Sequence, residues 1–237
     1  MDIEDIEFEA EDGGTIYDMN PFLHVLKILS SGDIPCVAVG GFAVVMHGMN
    51  RFTPDLNLVC DLSGDNPARI VECLQAANLF TDPKDLSLKF LDDAGREEIR
   101  AEHKLFCLPF EDADIPSFRV DLFLSHPLSF ERLKANANQV EFTEGTFSIA
   151  SIDDLIALKE ISGRGQDKAD IDNLNYIKSF LPFLGDEQKC LANIPEDASP
   201  GERDQISNLI TFSHLGPDEK AAWLLGMLEQ LGKFCML

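Results

Sequence analysis

Asp55 and Asn57 stand two residues apart in the run Asp55-Leu56-Asn57-Leu58-Val59-Cys60. Strand side chains alternate between faces, so both oxygen-bearing side chains project from the same side. Upstream lie the pair Gly40-Gly41 and the segment Arg51-Phe52-Thr53. Two oxygen ligands on one side of a strand, close to a glycine-rich turn, suit a hard cation bridging nucleotide phosphates. A third carboxylate, Asp121, sits in Ser117–Leu124 (SFRVDLFL), where alternation sends Arg119 and Asp121 one way and Phe118, Val120 and Leu122 the other. Asn57 offers an amide oxygen where such a site prefers a carboxylate. It can ligate magnesium, but it lacks the formal charge that holds a second ion.

These residues need a scaffold, and the pattern along the chain supplies one. Asn20-Pro21 is a helix start with a side-chain cap and proline at the first turn, and the helix ends at Ser31-Gly32. Cys36–Val39 is expected as a buried strand, Gly41–Gly48 as a short helix, Asp55–Cys60 as the second strand, and Asn66–Asn78 as a helix. Leu86–Leu91 and His103–Leu108 are expected as strands flanking the charged turn Asp92-Asp93-Ala94-Gly95. A helix at Leu128–Ala137 leads into a hairpin around Glu144-Gly145. Ser151 then caps a helix to Ile161, broken at Gly163-Arg164-Gly165 before another from Gln166 to Phe180. Residues 192–202 are linker-like, and amphipathic helices are expected over 202–212 and 217–233.

The expected organisation is an acidic arm (1–18), a body over 19–183 and a helical extension over 184–237. The body is expected to be α/β (α+β): a mixed, mostly antiparallel sheet of about five strands with helices on one face. Strands 36–39, 55–60 and 117–124 should be neighbours.

Charge narrows the partners. The chain carries 42 acidic and 19 basic residues, a net −23, and setting aside residues 1–18 still leaves about −15. Such a body is repelled by phosphate backbones unless cations are concentrated locally, so extended nucleic acid is an unfavourable ligand. A nucleotide arriving with its own magnesium, or a protein with a basic face, fits better. The longest apolar stretch, 34–49, is too short and too interrupted for a membrane helix, and the acidic N-terminus is unlike a secretory signal. A cytoplasmic protein with no membrane partner is expected. The six cysteines are scattered without metal-ligand spacing and are read as structural thiols.

Three blocks resemble the minimal nucleotidyltransferases of the DNA polymerase β-like superfamily, in the group of AbiEii-type toxins and MNT-type proteins. VGGFAVVMHGMNRFTPDLNL is similar to that family's Gly-Gly motif followed by Arg-x-Thr-x-Asp-x-Asp. RVDLF matches the strand that bears the third carboxylate. DDLIALKEISGRGQDKADIDNL looks like the group's lysine helix and the Lys-Asp helix after it. The resemblance spans about residues 34–175 and implies roles. Asp55, Asn57 and Asp121 would hold Mg2+ or Mn2+, and Asp121 would also activate the attacking hydroxyl. Gly40, Gly41, Arg51, Thr53 and Arg164 would serve the NTP phosphates, as would Lys159, counted with Asp55 and Asp121 among the catalytic residues, and Asp167 and Asp170 would orient that phosphate lysine. Nucleotidyl transfer to a protein or tRNA acceptor, in a toxin–antitoxin setting, is the activity implied.

Blander readings compete. Taken singly, Asp55 serves as a turn cap, Asp121 as a partner for Arg119, His47 as a helix-end residue and Lys159 as a solvated lysine. Asp167, Asp170 and Asp172 are most simply a solvated helix face. A different class of function is a catalytically impaired nucleotide-binding or antitoxin-like module. It would act on a basic protein partner through the stripe Leu209, Ile210, Phe212, Trp223, Leu224, Met227, Leu228 and Leu231.

Overall fold

The computed structural model describes residues 21–49, 53–115, 117–143, 145–220 and 222–223. Its frame is one seven-stranded mixed sheet, in spatial order β3-β4-β5-β2-β1-β7-β6. The strands are β1 (Cys36–Val39), β2 (Asp55–Cys60), β3 (Leu79–Phe80), β4 (Cys107–Asp112), β5 (Arg119–Phe123), β6 (Asn138–Phe142) and β7 (Gly145–Ile149). The pairs β1–β2, β3–β4, β4–β5 and β6–β7 are antiparallel, whereas β2–β5 and β1–β7 are parallel. The α/β class, the antiparallel bias and the adjacency of β1, β2 and β5 follow the sequence pattern, with two strands more than expected.

Helix α1 (Pro21–Ser31) buries Phe22, Leu23, Val25, Leu26 and Leu29, a stripe at helical spacing. Phe22 stacks on Phe42 of the next helix at 5.3 Å between ring centroids. That helix, α2 (Gly40–Met46), buries Phe42 through Met46 without interruption, as a helix enclosed on all sides must. It packs against β1 and β2 and against α7 (Ile152–Ser162). Helix α3 (Asn66–Ala76) lies on α1. Helix α6 (Phe130–Asn136) is tied to α7 by the buried carboxylate of Asp154, which accepts from Arg132 at 2.9 Å and Asn136 at 3.0 Å.

The segment 86–106 corrects the sequence expectation. Two short helices, α4 (Leu86–Lys89) and α5 (Asp93–Glu102), replace the first expected strand and the turn, and the second strand begins only at Cys107. The charged stretch is a helix N-terminus, because the Asp92 carboxylate accepts the Gly95 N–H at 2.7 Å. Gly95 is required there: a Cβ would fall 2.0 Å from the Lys89 carbonyl oxygen. Buried Arg96 then donates to the Phe90 carbonyl at 2.7 Å, closing the α4–α5 corner.

After α7, the left-handed Gly163 (φ 63°) turns the chain into α8 (Gly165–Phe180). Helices α9 (Glu187–Ala192) and α10 (Pro200–His214) follow, and α10 packs on both α8 and α9. Leu209, Ile210 and Phe212 are buried in the core, and Trp223 lies 4.8 Å from the Phe212 ring. This half of the expected apolar stripe therefore faces the protein's own body. Leu224, Met227, Leu228 and Leu231 lie outside the described residues, as do Asn20, the acidic arm and most of the helix expected over 217–233. Among the described residues, no helix is long and apolar enough to cross a membrane.

Candidate functional site

The central strands bring three of the expected residues to one place. In the parallel β2–β5 ladder, Asn57 is the register partner of Asp121, and Asp55 is the partner of Arg119. In the antiparallel β1–β2 ladder, Asn57 also pairs with Val39, the residue before α2. Register partners project from the same face, so Asp55, Asn57, Arg119 and Asp121 share one side of the sheet. The opposite side of the same strands carries Leu56, Leu58, Val120 and Leu122, all buried.

Gly40 completes this corner. It opens α2 with φ +66°, a left-handed conformation that side chains other than glycine rarely adopt. A Cβ there would lie 3.1–3.2 Å from the Asn57 side chain. The chain thus turns from β1 into α2 directly against Asn57, as expected for the Gly40-Gly41 pair.

Each polar side chain has a defined environment. Asp55 is half-buried and accepts the Thr53 hydroxyl on Oδ1 at 2.9 Å. Thr53 itself is buried and also donates to the Asp55 carbonyl. Asp121 is only 4 % exposed. Burial pushes its carboxyl above the usual range, the Arg119 guanidinium opposes the shift, and Asp55 and Glu111 reinforce it. Arg119 Nε donates to Asp121 Oδ2 at 3.2 Å while remaining half exposed. The blander expectation for Asp121, a pair with Arg119, therefore holds alongside the clustering.

The third block forms a second cluster. Lys159 is 6 % exposed, and its ammonium is held by Asp170 and, at 3.5 Å, by Asp167. Asp167 accepts the Arg164 backbone N–H and the Arg164 Nε, each at 3.0 Å. Burial alone would raise the Asp167 carboxyl. Hydrogen bonds from the Arg164 and Ser162 side chains and the Arg164 backbone outweigh it, bringing the group down to about 2. The expectations of a solvated Lys159 and a solvated Asp167–Asp170 face are corrected: all three are buried in an ion-pair network, and only Asp172 is exposed. Their burial follows from the α7–α8 corner, which folds Lys159 of one helix onto the carboxylates of Asp167 and Asp170 on the next. Arg164 is exposed and acts electrostatically on Asp55, linking this corner to the strand carboxylates. Lys159 has no described contact with Asp55, Asn57 or Asp121. Arg51 lies outside the described residues.

Two residues on the same sheet face escaped the sequence reading. Cys107 and Glu111 on β4 are register partners of Phe123 and Arg119. The Cys107 thiol is pushed up to about 11 by burial, with Asp121 and Asp55 adding to the effect. The signal was the alternation of Cys107, Pro109 and Glu111, obscured by the expectation of a strand beginning at 103. His47, by contrast, closes α2 as expected and makes a 2.8 Å hydrogen bond between Nε2 and the Ala150 carbonyl.

The donor set fits one hard divalent cation: two carboxylates and an amide oxygen, one carboxylate buried and already seeking positive charge. It fits two ions poorly. Among the described residues no group of three His, Cys, Asp or Glu side chains is placed to hold a metal ion. Two cavities on the described surface, of about 260 and 420 Å³, are lined by none of these residues.

No protein-family model matches the chain, and no curated protein matches it. Among solved structures, the chain is similar to the crystal structure of JHP933 from Helicobacter pylori. The identity is 16% and the TM-score 0.38, over 91% of this chain and 92% of that one. At that score the likeness bears on neither fold nor function.

Proposed function

We propose that the protein is a cytoplasmic, metal-dependent nucleotidyltransferase with a weakened metal site. It would move a nucleoside monophosphate from an NTP to a hydroxyl of a protein or RNA acceptor, tRNA included. The observation that carries this is the convergence of Asp55, Asn57 and Asp121 on one sheet face against the left-handed Gly40 turn. The resemblance of the three sequence blocks supports it.

Chemically, the acceptor hydroxyl oxygen would form a bond to the α-phosphorus as pyrophosphate departs in line. Asp121 is suited to take the hydroxyl proton, because burial raises its basicity. Asp55, Asn57 and Asp121 would hold Mg2+ or Mn2+, which neutralises charge on the attacking and leaving oxygens. Backbone N–H groups at Gly40-Gly41 can approach a phosphate without side-chain hindrance. Arg164 is exposed and could offer its guanidinium to a phosphate oxygen, while Asp167, itself paired with Lys159, holds the Arg164 backbone and side chain.

Two features favour a second reading, a nucleotide-binding module with impaired chemistry. Asn57 supplies no charge, and Arg119 already occupies one oxygen of Asp121. An antitoxin-like role on a basic partner would have to use a surface other than Leu209, Ile210 and Phe212, which are buried.

Incubation of the protein and cell extract with each labelled NTP, in magnesium and in manganese, separates the readings. Label appearing on a protein or tRNA band, and lost in Asp121→Asn, supports transfer. Label absent from wild type but present with Asn57→Asp marks the natural protein as an impaired transferase. Absence from both rejects transfer.

A further inference from the structure

Cys36 and Cys60 face each other across the β1–β2 ladder, separated by 24 positions in sequence but paired in register. The Asp61 N–H donates to the Pro35 carbonyl at 3.0 Å, so Pro35–Asp61 is a hydrogen-bonded pair. The next pair, Cys36–Cys60, therefore occupies a non-hydrogen-bonded position, where opposing Cα atoms lie about 4.5 Å apart and side chains come closest. A disulfide spans Cα separations of about 4.4–6.8 Å, so the bond can close without shifting either strand. Both thiols are free, and they share a hydrogen bond.

Access is unequal. Cys60 is buried, whereas Cys36 is half-buried and lines the 260 Å³ cavity together with Lys134, Gln139 and Phe147. The hydrogen bond from Cys60 holds the Cys36 thiol below its ordinary range, with the Lys134 ammonium adding to the effect despite burial. The same hydrogen bond and burial push Cys60 up. The accessible sulfur is thus the better nucleophile, and the buried one waits behind it.

We propose that Cys36 and Cys60 are a redox-reactive pair that a disulfide reaching Cys36 through the open side of the cavity converts to a cross-strand disulfide. Cys36 thiolate attacks one sulfur of oxidised glutathione, the S–S bond breaks and one glutathione thiolate leaves. Cys60, losing its proton to solvent, then attacks Cys36 Sγ and expels the second glutathione. In balance, two protein thiols and one disulfide give one protein disulfide and two glutathione thiols. Lys134 offers an ion pair to a carboxylate of the incoming peptide. The site lies three register positions from Val39–Asn57 on the same two strands, and it stands independently of the nucleotidyl-transfer proposal.

The folded full-length protein, treated with oxidised glutathione, acid-quenched and mapped by mass spectrometry, tests this. Cys36 should react at least about tenfold faster than Cys107 and Cys190, whose thiols burial pushes up. The product should be a Cys36–Cys60 cross-link. Cys60→Ser should stop at a glutathione adduct on Cys36, and Cys36→Ser should leave Cys60 unmodified. Among the described residues, Cys73 is a further thiol within electrostatic reach of Cys36, and Cys73→Ser should still cross-link. A Cys36–Cys73 product, or a Cys36 that reacts no faster than Cys107 in wild type, overturns the proposal. The wild-type rates decide it even if a variant fails to fold.

Discussion

Asn57 and Asp121 are direct register partners on neighbouring parallel strands, and their side chains rise from the same face of the sheet. Strand pairing alone sets that juxtaposition, so the amide and the carboxylate are held at fixed relative positions by backbone geometry. Whatever occupies this corner meets one buried carboxylate, one neutral amide and one half-buried carboxylate at Asp55.

Gly40→Ala should be costly at this corner. A non-glycine residue at φ +66° costs about 1–2 kcal/mol, and the new Cβ would press on the Asn57 side chain. A drop of about 2–8 °C in melting temperature is expected for a protein of this size. Gly64→Ala has a similar φ of +60° but nothing near its Cβ, so it controls for backbone strain alone. If the two variants melt alike, the contact with Asn57 contributes nothing.

Arg119→Gln tests whether the guanidinium stands in for a cation. Burial already raises the Asp121 carboxyl, and removing Arg119 should raise it further. A carboxyl raised in the folded state costs stability as pH rises from its unfolded through its folded value, so the variant's loss should extend to higher pH than that of wild type. At neutral pH the loss should stay within about 1 kcal/mol, because Arg119 is half exposed. Magnesium should stabilise the variant more than wild type. Chemical denaturation at several pH values, with and without the metal, provides the comparison.

The Lys159 network makes a separate prediction. Lys159→Met leaves Asp167 and Asp170 buried without their shared cation and should cost about 3–5 kcal/mol at neutral pH. In wild type, Asp167 is lowered from 3.8 to about 2, so it contributes about 2 kcal/mol that is present above pH 4 and lost as pH falls towards 2. Asp167→Asn should flatten the acid limb of a stability–pH profile. An unchanged limb would mean that other carboxylates dominate it.

Much of the site was legible because strand alternation is local. The spacing of Asp55 and Asn57 and the RVDLF alternation predicted shared faces, and the β1–β2–β5 adjacency brings those faces together. The helical corner at 86–102 was not legible as such. Its apolar and charged runs read as two strands and a turn until the Asp92 cap and the close Lys89–Gly95 approach are known. Lys159, Asp167 and Asp170 gave helical spacing but no sign of burial, since that depends on how α7 folds against α8. Cys36 and Cys60 were unremarkable singly, because strand register is a tertiary fact.

The most direct measurement of the central claim is the melting temperature of wild type, Asn57→Asp and Asp121→Asn, with and without manganese and an NTP. Preferential binding to the folded state raises melting temperature by an amount that grows with the logarithm of ligand concentration over Kd. Without metal, Asn57→Asp should melt lowest, because a third carboxylate joins Asp55 and Asp121. It should also gain the most when manganese and nucleotide are added. Wild type should gain less. Asp121→Asn should keep its metal-free stability or gain slightly, and should lose most of the metal response. Equal shifts in all three proteins would contradict a shared cation site at Asp55, Asn57 and Asp121.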